Sequence, residues 1–299
     1  MHPVTAAPKG VLAPGAAAQR FRLGRYLPSP DMAPDLAAVV EHYWVVAWDL
    51  TGQPPYVQRT LPYPAVNLVF ERGRSAVYGP MHGIFAYELR DAGRVLGIRF
   101  RPAGFRALVD APLSTLVDRV LPLEAVLGHL TPATAAAAEA AVLAAADDAG
   151  MVAVAETLLR QGLRAAPAQV EEVNRLVALI EADREILRVD DLVARSGLGV
   201  RALQRLFADL VGMTPKWVIR RARLHEAAHR LAQEERDQKG RDQKGRAGGA
   251  ALDLTTLAQD LGYFDHAHFT HDFKQVIGQS PSAYREDCAR KTAEGKPHP

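Results

Sequence analysis

Three groups of side chains have the types and spacing to do chemistry. The first is His225-Glu226-Ala227-Ala228-His229. On a helix its two imidazoles stand one turn apart and can grip one zinc, with Glu226 as the general base of a zinc hydrolase. The flanks disfavour that reading. Arg220, Arg221, Arg223 and Arg230 crowd the motif, and the run after His229 offers no third ligand at a suitable spacing. The second group is His266, His268 and His271. At about 100° per residue, His266 and His268 diverge by about 200°, so the three do not converge on one ion. The third is Arg201, Gln204 and Arg205, two guanidinium forks and an amide at helical spacing. Such groups pair bidentately with guanine and adenine edges in a DNA major groove. Cys288 is the one cysteine, so an intrachain disulfide and a multi-cysteine zinc site are excluded. No His or Asn set accompanies it as a nucleophile.

The third group needs a helix to present it. In Val200–Val211, Leu203, Leu206, Phe207 and Leu210 fall on one side, while Arg201, Gln204, Arg205 and Ala208 fall on the other. A short helix over Asp191–Ser196, capped by Asp190, precedes it, and Gly197 ends that helix with a positive φ. Two helices joined by a short Gly-containing turn are a helix-turn-helix. The same grammar recurs downstream. Leu254–Leu261 is a short helix, Gly262 turns the chain, and Asp265 caps a helix to Val276 that buries Phe269, Phe273 and Val276. Ala267, His268, His271, Lys274 and Gln275 face away. Gly278 stops this helix, and Ser280-Pro281 starts a last one. A long helix from Pro215 to about Gln233 joins the two units. Between them Arg236–Gly240 (RDQKG) is repeated as Arg241–Gly245, which reads as a solvated loop. Over Arg195–Arg246 there are 13 Lys/Arg against 6 Asp/Glu, although the chain as a whole carries only +2. Positive charge is therefore local to the first unit, the long helix and the loop.

Gly262 to Arg285, GYFDHAHFTHDFKQVIGQSPSAYR, together with the upstream LQRLF helix, resembles the DNA-binding domain of AraC/XylS-type transcription regulators. The resemblance covers roughly residues 170–286. It implies that each unit lays its second helix into successive turns of one major groove. Carried over by position, Arg201, Gln204 and Arg205 read bases in the first half, and Ala267, His268 and His271 sit at the groove in the second. Phosphate contacts are implied for Lys216 and Lys274 and for helix starts near Thr214 and Ser282. Double-stranded DNA and RNA polymerase are the implied partners, with a small-molecule effector and a homodimer besides; no cofactor is implied. Two departures stand out. The RDQKG duplication lengthens the linker, which is expected to loosen the second unit. The second unit also carries His where many members have Arg or Gln, so its base contacts are expected to be weaker and pH-sensitive.

The remaining sequence has a different texture. Its 299 residues suggest two domains, and 48% hydrophobic with 23% charged residues is an ordinary globular balance. No run is long and apolar enough to span a membrane, and residues 1–19 lack the pattern of a signal peptide, so the expected location is the cytoplasm. Short aromatic and β-branched runs at His42–Trp48, Val66–Phe70, Ala76–Tyr78, Ile84–Leu89 and Val95–Phe100, separated by turn signals, predict a small β-sandwich or barrel. Helices are expected over Leu113–Leu130, Pro132–Ala149 and Val152–Leu163. GIRFRPAG at Gly97–Gly104 and the run that follows resemble the shortened cupin-like sensor domain of some AraC-type regulators. That resemblance covers about residues 22–130 and implies a ligand pocket. Trp44, Trp48, Tyr63, Phe85, Arg99 and Arg101 are its candidate lining residues, while His42 and His82 with Glu41, Glu71 and Glu88 form no clear metal-binding set.

The expected fold is α+β: an N-terminal small β-barrel or sandwich with helices, and an all-α C-terminal tandem helix-turn-helix. The expected division is a disordered tail over 1–20, a sensor or dimerisation module over 21–130, a helical connector over 131–167, a DNA-binding domain over 168–287 with an insertion at 235–250, and a tail over 288–299. The functional expectation is a sequence-specific DNA-binding transcriptional regulator, not an enzyme, modulated through its N-terminal half. The alternatives are a zinc hydrolase built on the His225–His229 segment and an effector-sensing protein with weakened DNA binding.

Overall fold

The structure is a computed structural model that describes residues 2–3, 11–12, 21–27, 33–242 and 252–293. Apart from two dipeptides, the tail expected over 1–20 lies outside the described residues, as does the stretch 243–251. The N-terminal half is built on ten strands: β1 (His2–Pro3), β2 (Val11–Leu12), β3 (Phe21–Leu27), β4 (Val40–Asp49), β5 (Tyr56–Thr60), β6 (Asn67–Phe70), β7 (Ala76–Tyr78), β8 (Phe85–Leu89), β9 (Ala92–Phe100) and β10 (Val120–Pro122). They form an antiparallel seven-stranded sheet, β1-β3-β4-β9-β6-β7-β10, and a three-stranded sheet, β2-β5-β8. The sheets face each other as a sandwich, and no barrel closes.

The large sheet is buried on both faces, so its central strands read as nearly continuous apolar runs rather than alternating ones. The period of two still sorts the side chains. From β4, Tyr43 and Val45 enter one core with Leu96, Ile98 and Phe100 of β9. Trp48 of β4 and Val95 of β9 enter the inter-sheet core, with Leu89, Tyr56 and Tyr87 of the small sheet and with Trp44 packed alongside. Gly97 makes that possible, because a Cβ there would lie 1.9 Å from the Trp44 indole.

Helices cover the first face. They are α1 (Pro34–Val39), α2 (Leu123–Val126), α3 (Pro132–Ala144) and α4 (Asp148–Gly162). The segment expected as a connector is thus part of the N-terminal core, through Ala135 and Val142 of α3 and Met151, Val152, Ala155 and Leu159 of α4. The helix expected over Leu113–Leu130 does not form. A 3-10 turn at Leu113–Leu116, left-handed Asp118 (φ 55°), β10 and α2 take its place. Pro122 lies inside the span and, lacking an N–H, excludes a continuous hydrogen-bonded helix through it.

The C-terminal half is all helical: α5 (Val170–Ala182), α6 (Val189–Ser196), α7 (Val200–Leu210), α8 (Pro215–Asp242), α9 (Leu254–Asp260), α10 (His266–Ile277) and α11 (Pro281–Ala293). It has two cores that share α8. Trp217, Val218 and Ile219 of α8 join α5, α6 and α7, while Leu224, Ala227, Ala228, Leu231 and Ala232 join α9, α10 and α11. The N-terminal half reaches both, placing Ala103 in the first core and Leu61 in the second. Two sequence boundaries move. The backbone of α8 stays helical to Asp242, so the first RDQKG copy continues the helix instead of starting a loop. At the other end α11 runs to Ala293, and Cys288, expected in a tail, is buried in the second core.

One ion cluster ties β3 to this framework. Asp148, at the start of α4, accepts two hydrogen bonds from Arg22 (2.5 and 2.8 Å), one from Tyr26 (2.5 Å) and one from Arg94 (2.8 Å). The Arg22 bonds, aided by Tyr26 and Arg94, hold its carboxyl well below the usual carboxylate range. A depressed folded-state pKa stabilises the fold above the ordinary Asp range, and that contribution is lost as pH falls below it. Asp148→Asn is expected to lower stability by about 1–3 kcal/mol at pH 7. The gap between wild type and variant should narrow below about pH 4, measured by urea unfolding across a pH series.

Candidate nucleic-acid interface

The first unit is α6, a turn and α7. Gly197 ends α6 at φ 70°, a left-handed conformation that costs other residues energy, so the chain can turn sharply into α7. The α6 start differs from expectation. Asp190 lies inside the helix, and the Asp191 carboxylate instead accepts from the Leu187 (2.9 Å) and Arg188 (2.7 Å) amides. On α7, Leu203, Phe207 and Leu210 are buried and Arg201, Gln204 and Arg205 are exposed, as their angles require. Neither Arg201 nor Arg205 makes an ion pair among the described residues. Arg195, on α6, behaves differently and pairs with Asp183 (3.0 Å) and Glu185 (2.8 Å). Thr214 caps α8 by accepting from the Trp217 amide (3.1 Å), and exposed Lys216 stands at that helix start. The positive end of α8 and an unpaired ammonium therefore lie together.

The second unit is α9, a turn at Gly262 (φ 72°) and α10. Asp265 caps α10 through the His268 amide (2.7 Å). Ala267, His268 and His271 are exposed, as are Lys274 and Ser282. Both histidines, however, already have neighbours. His268 Nε2 lies 3.5 Å from Asp272 and its ring packs on Tyr263 at 5.3 Å. His271 Nε2 shares a 2.8 Å hydrogen bond with the Gln275 amide. Phe264, in the turn before α10, is 96% exposed and was not singled out from sequence. Nothing in its residue type separates it from a core aromatic.

A set of polar contacts fixes the two units relative to each other. Asp272 of α10 is buried, lies 3.0 Å from Arg220 Nε of α8, and accepts from the Tyr263 hydroxyl (3.2 Å). Arg220 also donates to Gln275. Arg223 stacks over Tyr263 at 4.2 Å and donates to the Leu187 carbonyl (3.2 Å), reaching the first unit. At the base of the insertion the Leu252 amide donates to Glu234.

The rival motif is dispersed. The Glu226 carboxylate accepts from Arg230 (2.8 Å) and lies 3.1 Å from Arg184. His225 is shielded, with burial holding its pKa well below the ordinary value, while His229 is exposed. No group of three potential metal ligands assembles among the described residues. The pocket candidates also separate. Trp48 is core and donates to the Arg90 carbonyl (2.9 Å). Trp44 and Phe85 line the inter-sheet space, Phe85 edge-on to Tyr78 at 5.3 Å. Tyr63 and Arg99 meet at the domain junction. Arg101 leaves β9, donates to the Ala37 carbonyl (2.9 Å), and lines a different crevice with Pro167 and Asn174.

Comparison with known proteins agrees with this geometry. Residues 251–286 match the family of bacterial regulatory helix-turn-helix proteins, AraC family. That stretch takes in the end of the insertion, α9, α10 and the start of α11, so the second helix-turn-helix unit is of the AraC type. Residues 25–122 match a domain of unknown function (DUF6597). Over 97 residues the chain is 30% identical to the HTH-type transcriptional activator RhaS of Pectobacterium carotovorum, covering 32% of this chain and 29% of that protein. It is 28% identical over 141 residues to the transcriptional activator NphR of a Rhodococcus species, covering 45% of this chain and 37% of that one. The chain thus spans well under half the length of these relatives. A solved AraC-type regulator from Chromobacterium violaceum aligns with 22% identity over 38% of this chain and 89% of its own, with a TM-score of 0.30. Within the C-terminal half, a double-mutant cycle on Arg220→Gln and Asp272→Asn is expected to give a coupling of about 1–3 kcal/mol in thermal or urea unfolding. A coupling near zero would remove Arg220–Asp272 from the frame.

Proposed function

We propose that the protein is a sequence-specific DNA-binding regulator of transcription whose N-terminal half senses an effector. One observation carries the reading: two exposed helices, α7 and α10, are held on one spine, and the first offers two guanidiniums and an amide that no neighbour occupies. Arg201, Gln204 and Arg205 of α7 read bases. Ala267, His268 and His271 of α10 lie at the second groove segment. Thr214, Lys216, Lys274 and Ser282 mark phosphate contacts. The first unit carries more of the specificity, because His268 and His271 must give up internal contacts before they reach a base. The relatives matched are transcriptional regulators, and the reading adds no catalytic step. No helix among the described residues is long and apolar enough to cross a membrane, in keeping with a protein that works on DNA in the cytoplasm.

Regulation follows by population shift. An effector that binds one arrangement of the two halves better than another changes how α7 and α10 meet the duplex. The contacts to be shifted are Arg106 to Asp209 (3.3 Å) and the Ala103 amide to Asn174 (2.9 Å), which join the halves beside α7. RNA polymerase and a second copy of the chain are the further partners of this reading.

The test is fluorescence anisotropy on the DNA upstream of the protein's own gene, against scrambled DNA, over a salt series. Tight, selective and steeply salt-dependent binding is expected. Arg205→Ala should cost about 1–3 kcal/mol on the selected site and much less on scrambled DNA. Lys216→Ala should weaken binding to both alike and lower the salt slope by about 1. Equal losses on both DNAs for Arg205→Ala would end its base-reading role.

A further inference from the structure

In the C-terminal half, the exposed large hydrophobic side chains among the described residues are Val200 and Phe264. The others, Leu23, Leu27, Val57 and Val120, belong to strands of the N-terminal half. Val200 is the first residue of α7, and Phe264 stands immediately before Asp265, the cap of α10. Both therefore sit at the N-terminal ends of the two reading helices. They differ in degree. Val200 keeps most of its cover, and a partly covered aliphatic group on a surface is ordinary. Phe264 is 96% exposed and packs on nothing.

The local fold has no use for this ring. An apolar residue just before a helix cap ordinarily packs on the fourth helical residue. In α10 that residue is Phe269, which is fully buried against Tyr263 (5.4 Å) and Phe273 (5.7 Å). Tyr263 has taken the stapling place, and Phe264 is left outside. Its backbone is nonetheless anchored on both sides. The Tyr263 amide donates to the Ala258 carbonyl (2.9 Å), and Asp265 accepts from the His268 amide (2.7 Å). A phenyl group held in water on an anchored backbone loses little freedom when it is covered, and gains from any apolar cover.

The surroundings narrow what that cover is. Phe264 opens a run of five exposed residues, 264–268, which includes Ala267 and His268 of the reading surface. In a docked helix-turn-helix, the N-terminal residues of the second helix reach the base edges. Beside the ring stand Asp265, His266, Ala267 and His268, so it offers one apolar point and not a patch broad enough for a protein partner. The apolar point that a major groove presents in return is the 5-methyl group of thymine, and phenylalanine is among the side chains that meet it.

We propose that Phe264 is a specificity-determining contact whose ring covers the 5-methyl group of a thymine in the groove segment that α10 faces. The proposal rests on the reading of α10 as a DNA-reading helix and adds what that helix reads. Unlike His268 and His271, Phe264 has no internal contact to give up.

The test selects duplexes from a random pool with the full chain. Each thymine of the enriched site is then replaced in turn by deoxyuridine, which removes the methyl and keeps the base pair. Fluorescence anisotropy compares wild type, Phe264→Ala and Phe264→Leu. At one thymine, wild type is expected to lose about fourfold in affinity, the factor for one methyl-sized group left uncovered. There Phe264→Ala should bind thymine and deoxyuridine alike, while Phe264→Leu keeps an intermediate response. Both variants should melt as wild type does, because the side chain packs on nothing. A Phe264→Ala variant that keeps every deoxyuridine response, or a wild type that no deoxyuridine weakens, would overturn the proposal. So would unchanged DNA binding joined to lost transcription in a reconstituted polymerase assay, which assigns the ring to a protein partner. The two levels separate at the selection step. If no sequence is enriched, the regulator reading falls and this contact with it. If one is enriched and Phe264→Ala behaves as wild type, the contact alone falls.

Discussion

A buried carboxylate must be matched, and Asp272 is matched by Arg220 at 3.0 Å. That constraint sets the geometry of the C-terminal half. Asp272 sits on α10, one helical step from His268 and His271, while Arg220 sits on α8, which also packs against α7. Losing the pair would leave a shielded carboxylate with only the Tyr263 hydroxyl and the His268 ring beside it, a larger penalty than the loss of a surface bridge. The exposed faces of α7 and α10 are therefore spaced by an interaction away from those faces. Arg223 adds a second brace by stacking on Tyr263 and donating to the Leu187 carbonyl.

The N-terminal half meets the same spine from the other side. Leu61 and Ile84 pack on the second core, Ala103 and Val117 on the first. Arg221 donates to the Pro62 carbonyl from the second turn of α8. On the proposed reading, an effector acting through the N-terminal half would bias both helix-turn-helix units at once through α8, which suits two helices proposed to reach one duplex in register.

Much of the C-terminal half was legible because its signals are local. Gly197, Gly262, Gly278 and Asp265 punctuate the helices at the positions where the chain turns or caps, and the apolar angles on α7 separate its buried and exposed residues. The N-terminal half was less legible. FRLGRYL at β3 and YVQRT at β5 carry arginines that mask strand character, since β3 stands next to the edge of the large sheet and β5 lies in the smaller one. Leu113–Leu130 has helical composition, but Pro122 and a left-handed Asp118 divide it. The junction could not be read at all from spacing, because Pro62 and Arg221 are 159 residues apart. Tyr63 and Arg99 were picked out as pocket residues, while Arg221 and His225 were assigned to a helix surface. Only the tertiary fold brings the four together.

The contact between the Leu252 amide and Glu234 ties the start of α9 to the side of α8, 18 positions back along the chain. The first copy of the duplicated pentapeptide lies beyond that tie and extends the α8 backbone, which stays helical to Asp242. Its gain or loss would therefore change the length of a helix past the second core, while the place where α9 joins α8 is set by Glu234.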